Sequence, residues 1–114
     1  MSLKKLRTQS FHAQNGRCFY CGACMWLKSP DELGMRPRSA RSFQCTAEHL
    51  VARQDGGKDA PGNVVAACCL CNLRRHKRPA PAPSPEAYKA LVRKRVDKGR
   101  WWPNRLTKEA MRGD

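Results

Sequence analysis

The chain has 114 residues, seven cysteines and a formal net charge of +14, from 23 Lys and Arg against nine Asp and Glu. Such a length fits one small domain with tails, too small to bury much apolar surface without a staple such as a metal. The charge favours a polyanionic partner, of which nucleic acid is the commonest, over a merely soluble basic protein or an anionic membrane surface, and no apolar run approaches membrane-spanning length, so no membrane partner is expected.

Residues 2–14 read as a helix. Leu3 and Leu6, then Ser10 or Phe11, and Ala13 keep helical spacing, Ser2 can cap the start, and Asn15-Gly16 stops it. Cys18–Cys21 forms a tight turn, with Trp26 packed nearby. Residues 28–40, punctuated by Pro30, Gly34 and Pro37, read as a surface excursion of unknown role. A strand is expected over 41–49, with Phe43, Cys45 and Ala47 inward and Ser42, Gln44 and Thr46 outward. Asp55-Gly56-Gly57 marks a loop, 64–67 a second strand, and 72–78 a short basic helix. Residues 79–85 hold four prolines and read as an extended spacer. Ser84-Pro85 then starts a helix over 86–98. Tyr88, Leu91, Val92 and Val96 share one side of it, and Trp101-Trp102 follow as an apolar anchor. The expected domain plan is a core over 1–78, a spacer over 79–85, and a basic helix and tail over 86–114.

The cysteines carry the first chemical signal. Residues 1–9 are basic and polar, unlike a secretory leader, and the cysteine count is odd. Zinc in a reducing cytosol is therefore expected over disulfides, with a cytoplasmic or phage-encoded intracellular location. Cys18-x-x-Cys21 and Cys68-x-x-Cys71 supply the four thiolates of a closed tetrahedral structural site. Cys21/Cys24 is an alternative pair, Cys45 reads as a small core residue, and Cys69 points away from the knuckle that contains it.

The second signal lies between those pairs. Thr46-Ala47-Glu48-His49, Gly56-Gly57, Asn63-Val64-Val65 and Cys68-Cys69-Leu70-Cys71-Asn72 come in an order that resembles the HNH endonucleases, over about residues 15–78. The resemblance implies a small α+β fold: a ββα-metal (His-Me finger) core stapled by a four-cysteine zinc site, with flanking N- and C-terminal helices. It implies a metal-dependent endonuclease that hydrolyses DNA phosphodiester bonds, leaving 5′-phosphate and 3′-hydroxyl ends. His49 would be the general base, since a free imidazole titrates near neutral pH. Glu48 and Asn72 would hold a magnesium or manganese ion through hard oxygen atoms. Asn63 would tie the loop near the histidine. His76, one helical turn after Asn72, would be either a third ligand or a phosphate-contacting or solvated residue. Arg53, Arg74, Arg75, Lys77 and Arg78 are the candidate nucleic-acid contacts, with a solvated loop side chain as the alternative for Arg53. A second basic cluster, Arg93-Lys94-Arg95 with Lys98 and Arg100, would either reach along the substrate or form a solvated helix face.

The chain departs from the family pattern at Glu48, where Asp is commoner, at Ala52, where proline is frequent, and in the long interval from Cys21 to Glu48. Two other readings compete: a non-catalytic zinc-knuckle nucleic-acid-binding module, and an RNA-cleaving nuclease on the same scaffold. The module leaves Glu48, His49, Asn63 and Asn72 without a reason for their spacing. No small-molecule cofactor is expected, and the oligomeric state is open.

Overall fold

Helix α1, Leu3–Ala13, opens the chain, and the Ser2 side chain caps it by accepting from the Lys5 amide. The computed structural model describes residues 1–79 and 81–103; Ala80 of the spacer and the tail 104–114 lie outside the described residues. After α1, Asn15 and Gly16 both take positive φ, 56° and 71°, and turn the chain into the first cysteine pair.

Strands β1, Cys45–His49, and β2, Val64–Cys68, form a two-stranded antiparallel sheet with Cys45 opposite Cys68 and His49 opposite Val64. Two strands alone leave backbone groups open on each edge. α1 closes the β2 edge with side chains. Ser10 donates to the Val64 carbonyl, while the Gln14 amide donates to the Ala66 carbonyl and accepts from the Ala66 amide. Helix α3, Cys69–His76, follows β2 without a connection and completes the β1–β2–α3 order. The structure is thus a small α+β fold whose two-stranded sheet runs into α3 beside a four-cysteine cluster.

The excursion over 28–40 is organised locally. Pro30–Leu33 makes one tight 3-10 turn in which the Glu32 carboxylate accepts from the amides of Leu27, Lys28 and Ser29. Those backbone hydrogen bonds, led by the one from Leu27, hold the Glu32 carboxyl below its ordinary range. A four-residue helix, α2, spans Pro37–Ala40, and Trp26 Nε1 donates to the Ala40 carbonyl at 2.7 Å.

The strand expected over 41–49 is shorter. Arg41–Phe43 is a 3-10 turn and β1 starts at Cys45. The expected inward set is also incomplete: Phe43 and Cys45 are buried, but the next buried residue is Glu48, not Ala47. Thr46, read as outward, shares a face with Glu48, two residues on. That face is covered by α3, where Thr46 meets Asn72 and Glu48 meets His76. The helix expected over 72–78 starts earlier, inside the second knuckle, where the Cys68 sulfur caps it by accepting from the Cys71 amide.

The proline-rich segment ends at Ser84, whose hydroxyl caps helix α4, Pro85–Asp97. α4 docks on the core as expected. Tyr88, Val92, Trp101 and Trp102 are buried with Tyr20, Met25, Phe43 and the clustered cysteines, and the Tyr88 hydroxyl donates to the Cys71 carbonyl at 2.7 Å. Burial, then the nearby Cys71 and Cys68 sulfurs, push the Tyr88 phenol up, so it stays a donor.

The loop between the strands is fixed by Gly57 and Asn63. A Cβ on Gly57 would overlap the Val51 carbonyl oxygen, so only glycine lets the two backbones approach. Gly57→Ala is expected to cost about 2 kcal/mol or more, as steric overlap in a packed site does. Gly34→Ala, at φ 63° with open space around its Cβ, should cost about 1 kcal/mol. Denaturant unfolding of both variants checks the order; a smaller loss at Gly57 than at Gly34 would contradict it.

Candidate active site

Two elements distant in sequence bring four sulfurs together. The Sγ atoms of Cys18, Cys21, Cys68 and Cys71 all lie within 4.8 Å of one another, and all four residues are buried. Tetrahedral zinc thiolates at about 2.3 Å from the metal stand roughly 3.8 Å apart, and the Cys21–Cys68 Sγ separation is 3.9 Å. Donors point inward at the cluster: Tyr20 and Cys68 amides at Cys18 Sγ, and Trp101 Nε1 at Cys71 Sγ. Four buried thiols this close cannot all ionise without a cation. Hydrogen bonding with Cys18, Cys21 and Cys71, together with burial, drives the Cys68 thiol well up. At Cys18 burial opposes ionisation but is outweighed by hydrogen bonds from the other three thiols and the Cys68 amide, so its thiol is well down. The donor set and spacing therefore fit a metal ion. Cys45 stands apart, and burial pushes its thiol up to about 11, consistent with the small core residue expected there.

Glu48 is buried, 1% exposed, and both its oxygens are engaged. Oε2 accepts from Arg75 Nη1 at 3.0 Å and from the Tyr20 hydroxyl at 2.9 Å; Oε1 is 2.9 Å from His76 Nε2. Burial and the Glu48 charge push the Tyr20 phenol far up, which keeps it a hydrogen-bond donor. Arg75 is 2% exposed and donates also to the carbonyls of His49, Leu50 and Pro83. This corrects the expectation of a nucleic-acid contact at Arg75: its guanidinium is spent inside the protein, tying β1, the loop and the spacer to Glu48. The substrate-facing reading failed because a basic run on a short helix does not reveal which of its members points inward.

Asn72 and His76 stand one turn apart on α3 and line the same cleft as Glu48 and His49, a cavity of about 500 Å³ completed by Ala47, Ala52, Arg53 and Gln54. The Asn72 amide nitrogen donates to Thr46 Oγ1 and the Ala47 carbonyl, so Oδ1 is the atom Asn72 can offer to the cleft. Glu48 Oε1, Asn72 Oδ1 and His76 Nε2 are a mixed oxygen–nitrogen donor set of the type that binds a hard or borderline divalent ion.

His49 Nε2 is 2.7 Å from Asp59 Oδ1. Asp59 also holds Arg53, which donates to both carboxylate oxygens. Hydrogen bonds first from His49 and then from Arg53 hold the Asp59 carboxyl below its ordinary range. With Nε2–H given to Asp59, Nδ1 is the free lone pair of the imidazole. Asp59 was not singled out from the sequence, because a lone acid in a Gly-Gly-Lys-Asp loop carries no motif. Its signal exists only after the loop folds back. Asn63 does the folding: Oδ1 accepts from the Val51 amide at 2.8 Å, and Nδ2 donates to the carbonyls of Val51 and Lys58. Arg53 therefore lies beside the histidine, paired with Asp59. Arg74 stacks on Trp101 at 4.5 Å and donates to its carbonyl, while Lys77 and Arg78 are exposed.

Residues 35–78, which hold Glu48, His49, Asn63, Asn72 and the second cysteine pair, match the family model for HNH endonuclease. Over that stretch the resemblance seen in the sequence is borne out, and the match suggests a nuclease-type function. No curated protein and no solved structure matches the chain.

Removing one member of a buried ion pair leaves the other unpaired, at a cost of about 3–5 kcal/mol. Arg75→Ala is expected to lose stability in that range, and Arg75→Ala/Glu48→Ala less than the sum of the single changes. Chemical denaturation of the four proteins tests this. Additive losses would show that the pair is not coupled.

Proposed function

We propose that the chain is a metal-dependent endonuclease that hydrolyses DNA phosphodiester bonds in the cleft of Glu48, His49, Asn72 and His76. One observation carries this most: a histidine with a free Nδ1 shares a single cleft with a carboxylate, an amide oxygen and a second imidazole. Zinc on Cys18, Cys21, Cys68 and Cys71 would serve structure, as a closed four-thiolate set has no open position for substrate. Magnesium or manganese on Glu48, Asn72 and His76 would serve catalysis. A cation bound there supplies Lewis-acid stabilisation of the charge developing on the phosphate and the leaving 3′ oxygen.

The chain's own groups do the rest. Arg75 and Tyr20 hold Oε2 of Glu48, so only Oε1 remains to face the cleft. His76 keeps Oε1 company at 2.9 Å and would exchange that hydrogen bond for shared coordination. His49 takes the proton of the attacking water at Nδ1, while Asp59 fixes the tautomer and steadies the imidazolium that results. Arg53 keeps Asp59 in place, and Asn63 holds the loop that carries both. DNA rather than RNA is the substrate we adopt; RNA cleavage by the same groups is an outcome of the same assay.

Supercoiled plasmid and a structured RNA, incubated with magnesium or manganese and then with chelator, test the proposal. Wild type should cut only with the ion. His49→Ala should lose about a hundredfold or more, the usual contribution of a general base, and Asp59→Asn a smaller factor. Equal cutting by wild type and His49→Ala would remove His49 from the role; binding without cutting by both would favour the non-catalytic module.

The lowered Asp59 pKa also sets a direction with pH. A carboxyl whose folded pKa lies below its unfolded value adds stability that is present above the unfolded pKa, about 3.9 for Asp, and is lost as pH falls through the folded value. Asp59→Asn should therefore narrow the stability difference between neutral pH and pH below about 4, measured by denaturation at each pH. An unchanged difference would show that the pair with His49 and Arg53 does not form.

A further inference from the structure

A second charged cleft lies between the end of α3 and the end of α4. It has a volume of about 430 Å³ and is lined by Arg74, Lys77, Arg78, Arg95, Arg100 and Trp101. Five of the six lining residues are cationic and none is acidic. The basic side chains near the catalytic cleft are already committed: Arg53 is paired with Asp59, and Arg75 is buried against Glu48. Lys77, Arg78, Arg95 and Arg100 are all exposed. Arg74 and Trp101 build the wall, each holding the other through the stacked guanidinium and its bond to the Trp101 carbonyl. Concentrating like charges in a concave surface is unfavourable unless an anion relieves it.

The position of this cleft on α3 separates it from the chemistry. At about 100° per residue, Arg74 lies on the order of 180° around the helix from the direction shared by Asn72 and His76, and Lys77 about 120°. An α-helix with its side chains is roughly 10–12 Å across, so a phosphate in the basic cleft is not one that borders the bond cut in the Glu48–His49 cleft. Arg95, Arg100 and Trp101 also lie outside residues 35–78, the HNH match.

We infer that the α3–α4 cleft binds the phosphodiester backbone of nucleic acid at a point remote from the bond that is cut, as a separate anchoring site. The role as substrate anchor rests on the proposed nuclease function; the binding itself does not. The anchor would hold long substrates and leave the chemical step untouched.

The test uses Arg95→Gln/Arg100→Gln in the full chain, with Arg74, Lys77, Arg78 and Trp101 kept intact. Duplex binding is measured in chelator, where no cutting can occur, across a range of salt. Each lost phosphate contact should reduce the slope of log K against log salt by about 0.9, so the double change should remove about two units of slope. Single-turnover cutting with saturating enzyme should stay within about twofold of wild type, as expected when the binding lost is equal in the ground and transition states. On a duplex too short to reach beyond α3, the double variant and wild type should bind alike. An unchanged slope on long duplex overturns the inference, whether or not the protein cuts. So does a loss seen only with vesicles of anionic phospholipid. If the slope falls while wild type cuts nothing, the anchoring site stands and the nuclease proposal fails by itself.

Discussion

The convergence of four sulfurs is the constraint on which everything else rests. Cys18 and Cys21 follow α1, whereas Cys68 and Cys71 join β2 to α3. Clamping them ties the segment after α1 to the end of β2 and sets the start of α3, because the Cys68 sulfur is itself the helix cap. Tyr20 sits between the first two sulfurs and reaches Glu48; Trp101 donates to Cys71 from beyond α4. A chain of this size has few other means of holding such separate segments, and a bound metal makes their alignment part of the folding free energy.

Arg75 carries that alignment from the clamp into the cleft. A buried guanidinium and carboxylate gain little net stability, since desolvating both offsets most of their attraction. What they fix is orientation. Arg75 holds one oxygen of Glu48 and three backbone carbonyls at once, which leaves a single defined oxygen toward His76 and the cleft. Charge on this protein is thus divided by use: Arg75 sets geometry, Arg53 steadies Asp59, and the exposed cations near the ends of α3 and α4 are the ones we propose for a polyanion.

Local patterns were legible where chemistry and spacing coincide. Ser2 and Ser84 as caps, the two knuckles, the short apolar β2 and the docking of Tyr88 and Val92 could all be read directly, because each depends on neighbours a few residues away. The inward turn of Glu48 could not. Alternation predicts a polar residue outside, and only the buried guanidinium of Arg75, twenty-seven positions on, makes the opposite side favourable. Asp59 was invisible for the same reason: its partner His49 is ten residues earlier, across a loop whose path depends on Gly57 and Asn63. The motif fixed which residue types meet, and tertiary contacts fixed which of their atoms remain free.

We propose two distinct metal-binding sets in one small fold, a sulfur cluster for structure and an oxygen–nitrogen cleft for chemistry. Anomalous diffraction from crystals grown with zinc and manganese reads both directly. The expected result is a zinc peak equidistant from the sulfurs of Cys18, Cys21, Cys68 and Cys71, and a separate manganese peak in contact with Glu48 Oε1, Asn72 Oδ1 and His76 Nε2. A manganese peak elsewhere, or none in the cleft while zinc fills the sulfur site, would contradict it.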